Sequence, residues 1–149
     1  MKIFNENKKA YFNYKIEEKF EAGIILTGNE VKAIKNGKIN LIGSYVIIKN
    51  EEPFLIGAKI PPYQPKNVPL EYNPERPRKL LLNKKEINYL IGKTKEKGLT
   101  LIPLKVYTKD TKIKLEFAIA RGKKQFDKRE IMKKRAVQKE LERELKLRG

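Results

Sequence analysis

The sequence contains neither cysteine nor histidine. The first absence removes disulfides, thiolate nucleophiles and thiolate metal sites. The second removes the side chain whose ordinary pKa suits proton transfer near neutral pH. Carboxylates remain and could hold Mg²⁺ through oxygen, but the 18 Asp and Glu are scattered among 35 Lys and Arg. Long apolar runs are also missing. None approaches the roughly 18 residues of a membrane span, and the segment from Met1 to Lys9 lacks the apolar stretch of a secretory signal. Most acid–base, nucleophilic and zinc chemistry is thereby excluded. A cytoplasmic binding protein with no metal or cofactor is expected, not an enzyme.

Positive charge, by contrast, is in excess. A net charge of +17 on 149 residues goes beyond what solubility requires and implies a polyanionic partner, nucleic acid or an anionic membrane. The charged fraction of 36% stands against a usual value of about 25%, so the surplus must lie on the surface or in a tail. A chain of this length is expected to form one domain with one modest core. From Arg121 to Gly149, twelve Lys or Arg face five Asp or Glu. This division predicts a folded body over 1–120 and a basic tail over 121–149.

Along the body, residues 1–10 read as a polar, poorly ordered lead-in. From Tyr14 a strand pattern begins, with Phe20, Ala22, Ile24 and Leu26 apolar at period two. Asn29 is a candidate N-cap for a short helix over 30–35, with Gly37 just past its end. Residues 45–49 and 54–60 read as a hairpin around the turn Asn50-Glu51-Glu52-Pro53. Six of the eight prolines fall within 61–77, which predicts a long loop. Asn83 with Glu86 three residues on predicts a capped helix from Lys84 to about Lys97, with Ile87, Leu90 and Ile91 inward. Strands over 99–107 and 112–120 complete the body, the second with Ile113, Leu115, Phe117 and Ile119 on one face. The order β-α-β-β-α-β-β suits an α+β fold or a small closed barrel, in which closure removes exposed edges.

Several residues are candidates for contact with a polyanion. Lys112 and Lys114 lie about 7 Å apart on the solvent face of the last strand, a spacing that can meet successive phosphates. An ordinary solvated strand face is the plainer alternative. In Arg76-Pro77-Arg78-Lys79 the proline stiffens a cluster of cations, and arginine offers paired donors to phosphate; a charged loop-to-helix junction is the competing reading. Glu21 lies between inward positions and should point outward. There it could accept a hydrogen bond from a base edge or a 2′-hydroxyl, or simply stand as a solvated carboxylate. In the tail, Gly122 can hinge the chain away from the last strand. Phe126, isolated among polar residues, can stack on a base or pack back on the body. Beyond Lys128 the charges Glu130–Lys134, Glu142–Lys146 and Glu144–Arg148 pair at i,i+4. The apolar stripe Val137, Leu141, Leu145 is too thin to hold a helix on a core. Such a tail is marginal alone and gains helicity on binding.

The combination of Phe20-Glu21-Ala22-Gly23-Ile24, Gly28-Asn29-Glu30-Val31-Lys32, Ser44-Tyr45-Val46, the run from Arg76 to Leu82 and Arg121-Gly122-Lys123-Lys124-Gln125-Phe126-Asp127-Lys128-Arg129 resembles the SmpB family, the SsrA-binding proteins of bacterial trans-translation. The resemblance spans almost the whole chain. It implies a mainly β fold, a small OB-like β-barrel with flanking helices. It also implies a basic C-terminal tail that is disordered when free and helical when bound. The implied partners are transfer-messenger RNA (tmRNA), bound through its tRNA-like domain, and stalled ribosomes, to which that RNA is delivered. The tail would occupy the decoding centre and the empty messenger channel. A monomer that catalyses no bond chemistry is implied. The runner-up function is a general RNA- or single-strand-binding barrel, such as an initiation-factor-like ribosome ligand.

By the same resemblance, RNA contacts fall on Asn7, Glu21, Leu81 and Lys114, beside the cationic Arg76, Arg78 and Lys79. Decoding-centre roles fall on Arg121, Gly122, Lys123, Lys124, Phe126, Asp127, Lys128 and Arg129, and contacts to ribosomal RNA on Lys133, Lys134 and Arg135. Two positions depart from the family pattern. Asn29 stands where tryptophan is usual, and Phe126 where histidine or tyrosine is common. Stacking at Phe126 survives that change; a titrating or hydrogen-bonding role does not.

Overall fold

The computed structural model describes residues 1–64 and 71–123 and, within the tail, 136–137, 139–141 and 143. Its elements are β1 (Ile3–Glu6), α1 (Lys8–Asn13), β2 (Tyr14–Ile24), α2 (Gly28–Lys35), β3 (Tyr45–Lys49), β4 (Glu52–Ile56), β5 (Arg78–Leu81), α3 (Lys84–Thr94), β6 (Leu99–Lys109) and β7 (Lys112–Gly122). The strands join in the order β1-β6-β3-β4-β5-β2-β7, and β7 pairs again with β6. That last pairing closes six antiparallel strands into a barrel, with β1 added against β6. The mainly β, barrel-like expectation is met. The described tail positions 136–137, 139–141 and 143 are helical.

Local chemistry explains most of the element boundaries. The hairpins β3–β4 and β6–β7 turn on Asn50-Glu51 and Asp110-Thr111, all four with positive φ. Two successive residues of that kind match the right-handed twist of the flanking strands. The first turn is therefore shorter than expected, and Pro53 already belongs to β4, opposite Ile48. Helix α2 is capped by Thr27, not by Asn29. The Thr27 hydroxyl accepts from the Glu30 N–H at 3.2 Å, and the Glu30 carboxylate accepts from the Thr27 N–H at 2.9 Å. Thr-x-x-Glu satisfies two otherwise orphaned donors reciprocally, which leaves Asn29 exposed in the first turn. Gly37, with φ of 75°, lies just beyond the helix end. Asn83 and Glu86 cap α3 in the same reciprocal way.

The barrel interior is filled by Ala22, Leu55, Leu80, Leu101, Val106, Leu115, Phe117 and Ile119, joined by Ile34 of α2 and Leu90 of α3. A second, smaller cluster brings Ala10 of α1 together with Ile102, Leu104, Ala118 and Ala120. The small side chains of Ala118 and Ala120 on the alternate face of β7 leave room for α1.

Two further expectations are corrected. Residues 1–10 are ordered: β1 pairs with β6, and the buried Asn7 donates its Nδ2 to the Pro103 carbonyl at 3.1 Å. The Asn7 N–H bonds the Leu104 carbonyl at 2.7 Å. A four-residue strand and a six-residue helix carry too little periodicity to be read locally, and both depend on β6 as a partner. The segment 78–81, which by sequence alone reads as a charged junction leading into α3, is a strand that bridges β4 and β2.

Candidate nucleic-acid interface

Cross-strand register builds the site. Leu81 of β5 lies opposite Gly23 of β2, Gly23 opposite Lys114 of β7, and Lys114 opposite Tyr107 of β6. Residues paired in this way share a face of the sheet, and here it is the outer one, because Ala22, Leu80, Val106 and Leu115 beside them fill the interior. Leu81 is 55% exposed. Gly23 leaves the middle of the row without a side chain; a Cβ there would lie 3.2 Å from the Leu81 Cβ. The result is a shallow groove of about 360 Å³ whose walls include Leu26, Val31, Lys35, Leu81, Lys112 and Lys114. An apolar floor flanked by lysines can receive a sugar or base with its phosphate.

Glu21 sits two residues before Gly23 on the same face, as the strand period requires. Tyr107 donates its hydroxyl to Glu21 Oε2, and Lys109 reaches Oε1 at 3.2 Å. The Tyr107 bond holds the Glu21 carboxyl below its ordinary value of 4.5, against a smaller opposing effect of burial; Lys109 and Lys114 act in the same direction as Tyr107. Burial, followed by the hydrogen bond to Glu21 and then the Glu21 charge, pushes the Tyr107 hydroxyl well up. Alongside, Glu116 lies between Lys19 at 3.9 Å and Lys105 at 3.8 Å. This face is therefore cationic with two fixed acceptors.

The run from Arg76 to Lys79 divides according to strand alternation. Arg78 and Leu80 face inward, and Lys79 and Leu81 outward. Arg78 is fully buried, with Nε and Nη2 on Glu30 Oε2 at 2.9 and 2.6 Å and Nη1 on the Ala58 carbonyl at 2.8 Å. With its donors engaged inside the protein, it cannot touch a phosphate as expected; it fixes β5 to α2 instead. Arg76 binds Glu30 Oε1 at 2.5 Å and remains partly exposed. Lys79 reaches Glu52 at 3.2 Å on the surface.

The SmpB protein family model matches residues 4–147. The chain belongs to the SmpB family. Curated relatives called SsrA-binding protein include one from Carboxydothermus hydrogenoformans, 51% identical over 99% of this chain and 98% of its own length. Another, from Persephonella marina, is 49% identical over 98% and 95%. A solved structure concerned with tmRNA-SmpB and the bacterial ribosome has a chain with a TM-score of 0.67 and 43% identity, covering 81% of this chain and 85% of that one.

Of the positions that the SmpB resemblance picks out, the fold brings Glu21, Leu81 and Lys114 together. Asn7 is not with them. It is buried against Pro103 and Leu104, three to four residues along β6 from Tyr107. It borders a different groove, of about 460 Å³, beside Lys9, Asn13 and Tyr45. Arg121 is held on the body by Glu17 at 3.5 Å and the Lys97 carbonyl at 3.1 Å. Gly122 still pairs with Tyr14, the Lys123 N–H bonds the Asn13 carbonyl at 3.0 Å, and Lys123 Nζ bonds the Tyr11 carbonyl at 3.0 Å. Lys124, Phe126, Asp127, Lys128, Arg129, Lys133, Lys134 and Arg135 lie outside the described residues. Reading single residues missed Gly23, Tyr107 and Lys109. The two-residue turn was the available signal, because pairing Lys109 with Lys112 sets Tyr107 opposite Lys114.

Proposed function

We propose that this chain binds the tRNA-like domain of tmRNA and delivers it to stalled ribosomes for trans-translation. The observation that carries the reading is the row Leu81–Gly23–Lys114–Tyr107 with Glu21 beside it. Lys112 and Lys114 take backbone phosphates. Gly23 and Leu81 offer a flat apolar rest for a sugar or base. Glu21, ionised and an acceptor only, takes a hydrogen bond from an RNA donor. Family membership and the SsrA-binding names of its relatives support the same partner. The protein acts as a cytoplasmic, monomeric binding factor and not as a catalyst.

The proposal has two parts: body 1–120 for the RNA and tail 121–149 for the decoding centre and messenger channel. Within the tail, Arg121 to Arg129 serve at the decoding centre, and Lys133, Lys134 and Arg135 follow ribosomal RNA. Because Lys123 is still bonded to the body, the separating truncation is made after it. Deleting 124–149 should leave affinity for the tRNA-like domain within about twofold at matched salt and abolish peptide tagging on stalled ribosomes. Equal loss of both would refute the two-part reading.

A further inference from the structure

We infer that Tyr107 is a positioning residue for RNA recognition, acting entirely through Glu21, with Lys109 as its auxiliary. The inference rests on the reading of Glu21 as an RNA contact and goes beyond it to the groups that make Glu21 competent.

The geometry is specific. Glu21 stands on the open outer face of β2, where a glutamate ordinarily samples many rotamers in water. Here each carboxylate oxygen has a protein donor, Tyr107 on Oε2 and Lys109 on Oε1. Tyr107 is only 3% exposed. Its ring is fixed by burial, and Lys105 Nζ lies 5.4 Å from the ring centroid. The hydroxyl therefore projects from a rigid mount, whereas the carboxylate would otherwise be mobile. Holding it in advance removes the rotamer entropy that binding would have to supply. An ionised carboxylate has about four acceptor positions, so one bond on each oxygen leaves acceptor capacity facing solvent.

The surroundings limit what else Tyr107 can do. The charged and titratable groups around Glu21 are Tyr107 and Lys109 of β6, Lys114 and Glu116 of β7, and Lys19 on its own strand. Lys19 is engaged by Glu116. The Tyr107 hydroxyl is spent on Glu21 and, with the ring buried, it has no open path to a bound RNA.

The test is a double-mutant cycle on the full-length protein, with a transcript of the tmRNA tRNA-like domain as probe and affinity read by fluorescence anisotropy at fixed salt. Glu21→Gln should weaken binding about tenfold, as for loss of one hydrogen bond to a charged group. Tyr107→Phe keeps the ring and should weaken binding about three- to tenfold. In the Glu21→Gln background, Tyr107→Phe should add less than about a 1.5-fold effect, because residues acting as one unit are not additive. Lys109→Met, at an exposed position, gives a second cycle free of folding risk, with an expected effect of about twofold that also vanishes in the Glu21→Gln background. Additive effects of Tyr107→Phe and Glu21→Gln would overturn the inference. So would unchanged affinity in Tyr107→Phe while Glu21→Gln weakens binding. Unchanged affinity in Glu21→Gln would instead sink the RNA-contact reading on which the inference stands.

Discussion

Replacing Glu30 by alanine is the most demanding test of how this body is held together. In one step the change removes the acceptor of the Thr27 N–H, of Arg76 Nη2 at 2.5 Å, and of Arg78 Nε and Nη2 at 2.9 and 2.6 Å. Arg78, fully buried, keeps only neutral partners, the Ala58 carbonyl at 2.8 Å and the Tyr72 hydroxyl, and no countercharge. Breaking a buried ion pair by removing one partner costs about 3–5 kcal/mol, and losing half of the α2 capping box adds roughly 1 kcal/mol. The Arg76 contact is discounted, because that side chain is 38% exposed. The total, about 4–6 kcal/mol, is comparable with the whole stability of a small domain, about 5–15 kcal/mol. At ~2–4 °C per kcal/mol for a chain of this size, Tm should fall by roughly 8–24 °C. Urea unfolding followed by far-UV circular dichroism measures the change by linear extrapolation. A loss below about 1.5 kcal/mol would refute the claim that Glu30 compensates the Arg78 charge. The double variant Glu30→Leu/Arg78→Met, which removes both charges, should recover much of the loss.

The same residue predicts acid sensitivity. Burial pushes the Glu30 carboxyl up, and the bonds from Thr27, Arg76 and Arg78 together outweigh it, holding the group below 4.5. Its contribution to stability is therefore present above that value and lost as pH falls through the depressed folded value; melts from pH 7 to 3 should show a shallower acid decline in Glu30→Gln than in the parent. On the proposed RNA face, Gly23→Val would place a branched side chain against Leu81 and fill the groove, with its Cβ 3.2 Å from the Leu81 Cβ. It should weaken binding of the tRNA-like domain by about tenfold with a stability loss under ~2 kcal/mol; anisotropy and melting measured on the same sample separate the two. Lys112→Ala and Lys114→Ala should each flatten the slope of log K against log salt by about 0.9 if each lysine neutralises one phosphate, and an unchanged slope would return that lysine to the ordinary solvated surface. Gly98→Ala should cost ~1–2 kcal/mol, because φ there is 85° and the new Cβ would meet Arg121 Nη1 at 3.1 Å; a neutral result would show that the α3–β6 connection relaxes freely.

Much of this protein was legible residue by residue. The charge surplus, the missing cysteine and histidine, the period-two faces of β2 and β7, and the Asn83–Glu86 cap all depend on neighbours within a few positions. Local physics is enough to decide them. The SmpB motifs were equally readable, being short runs of contiguous residues. What depended on distant partners was not legible. β1 and α1 exist because β6 offers a ladder and an apolar surface to Ala10. Arg78 sits in a run that reads as phosphate-binding, but strand alternation in β5 turns it inward to Glu30, 48 residues away. The short β5 itself takes meaning only between β4 and β2. Glu21 could be read as outward, yet its partner Tyr107 lies 86 residues on. The sequence by itself therefore determined the class of partner and the chemistry on offer. Only closure of the barrel decided which cations are spent inside and which residues share one face, because register between strands is a long-range property that no single segment contains.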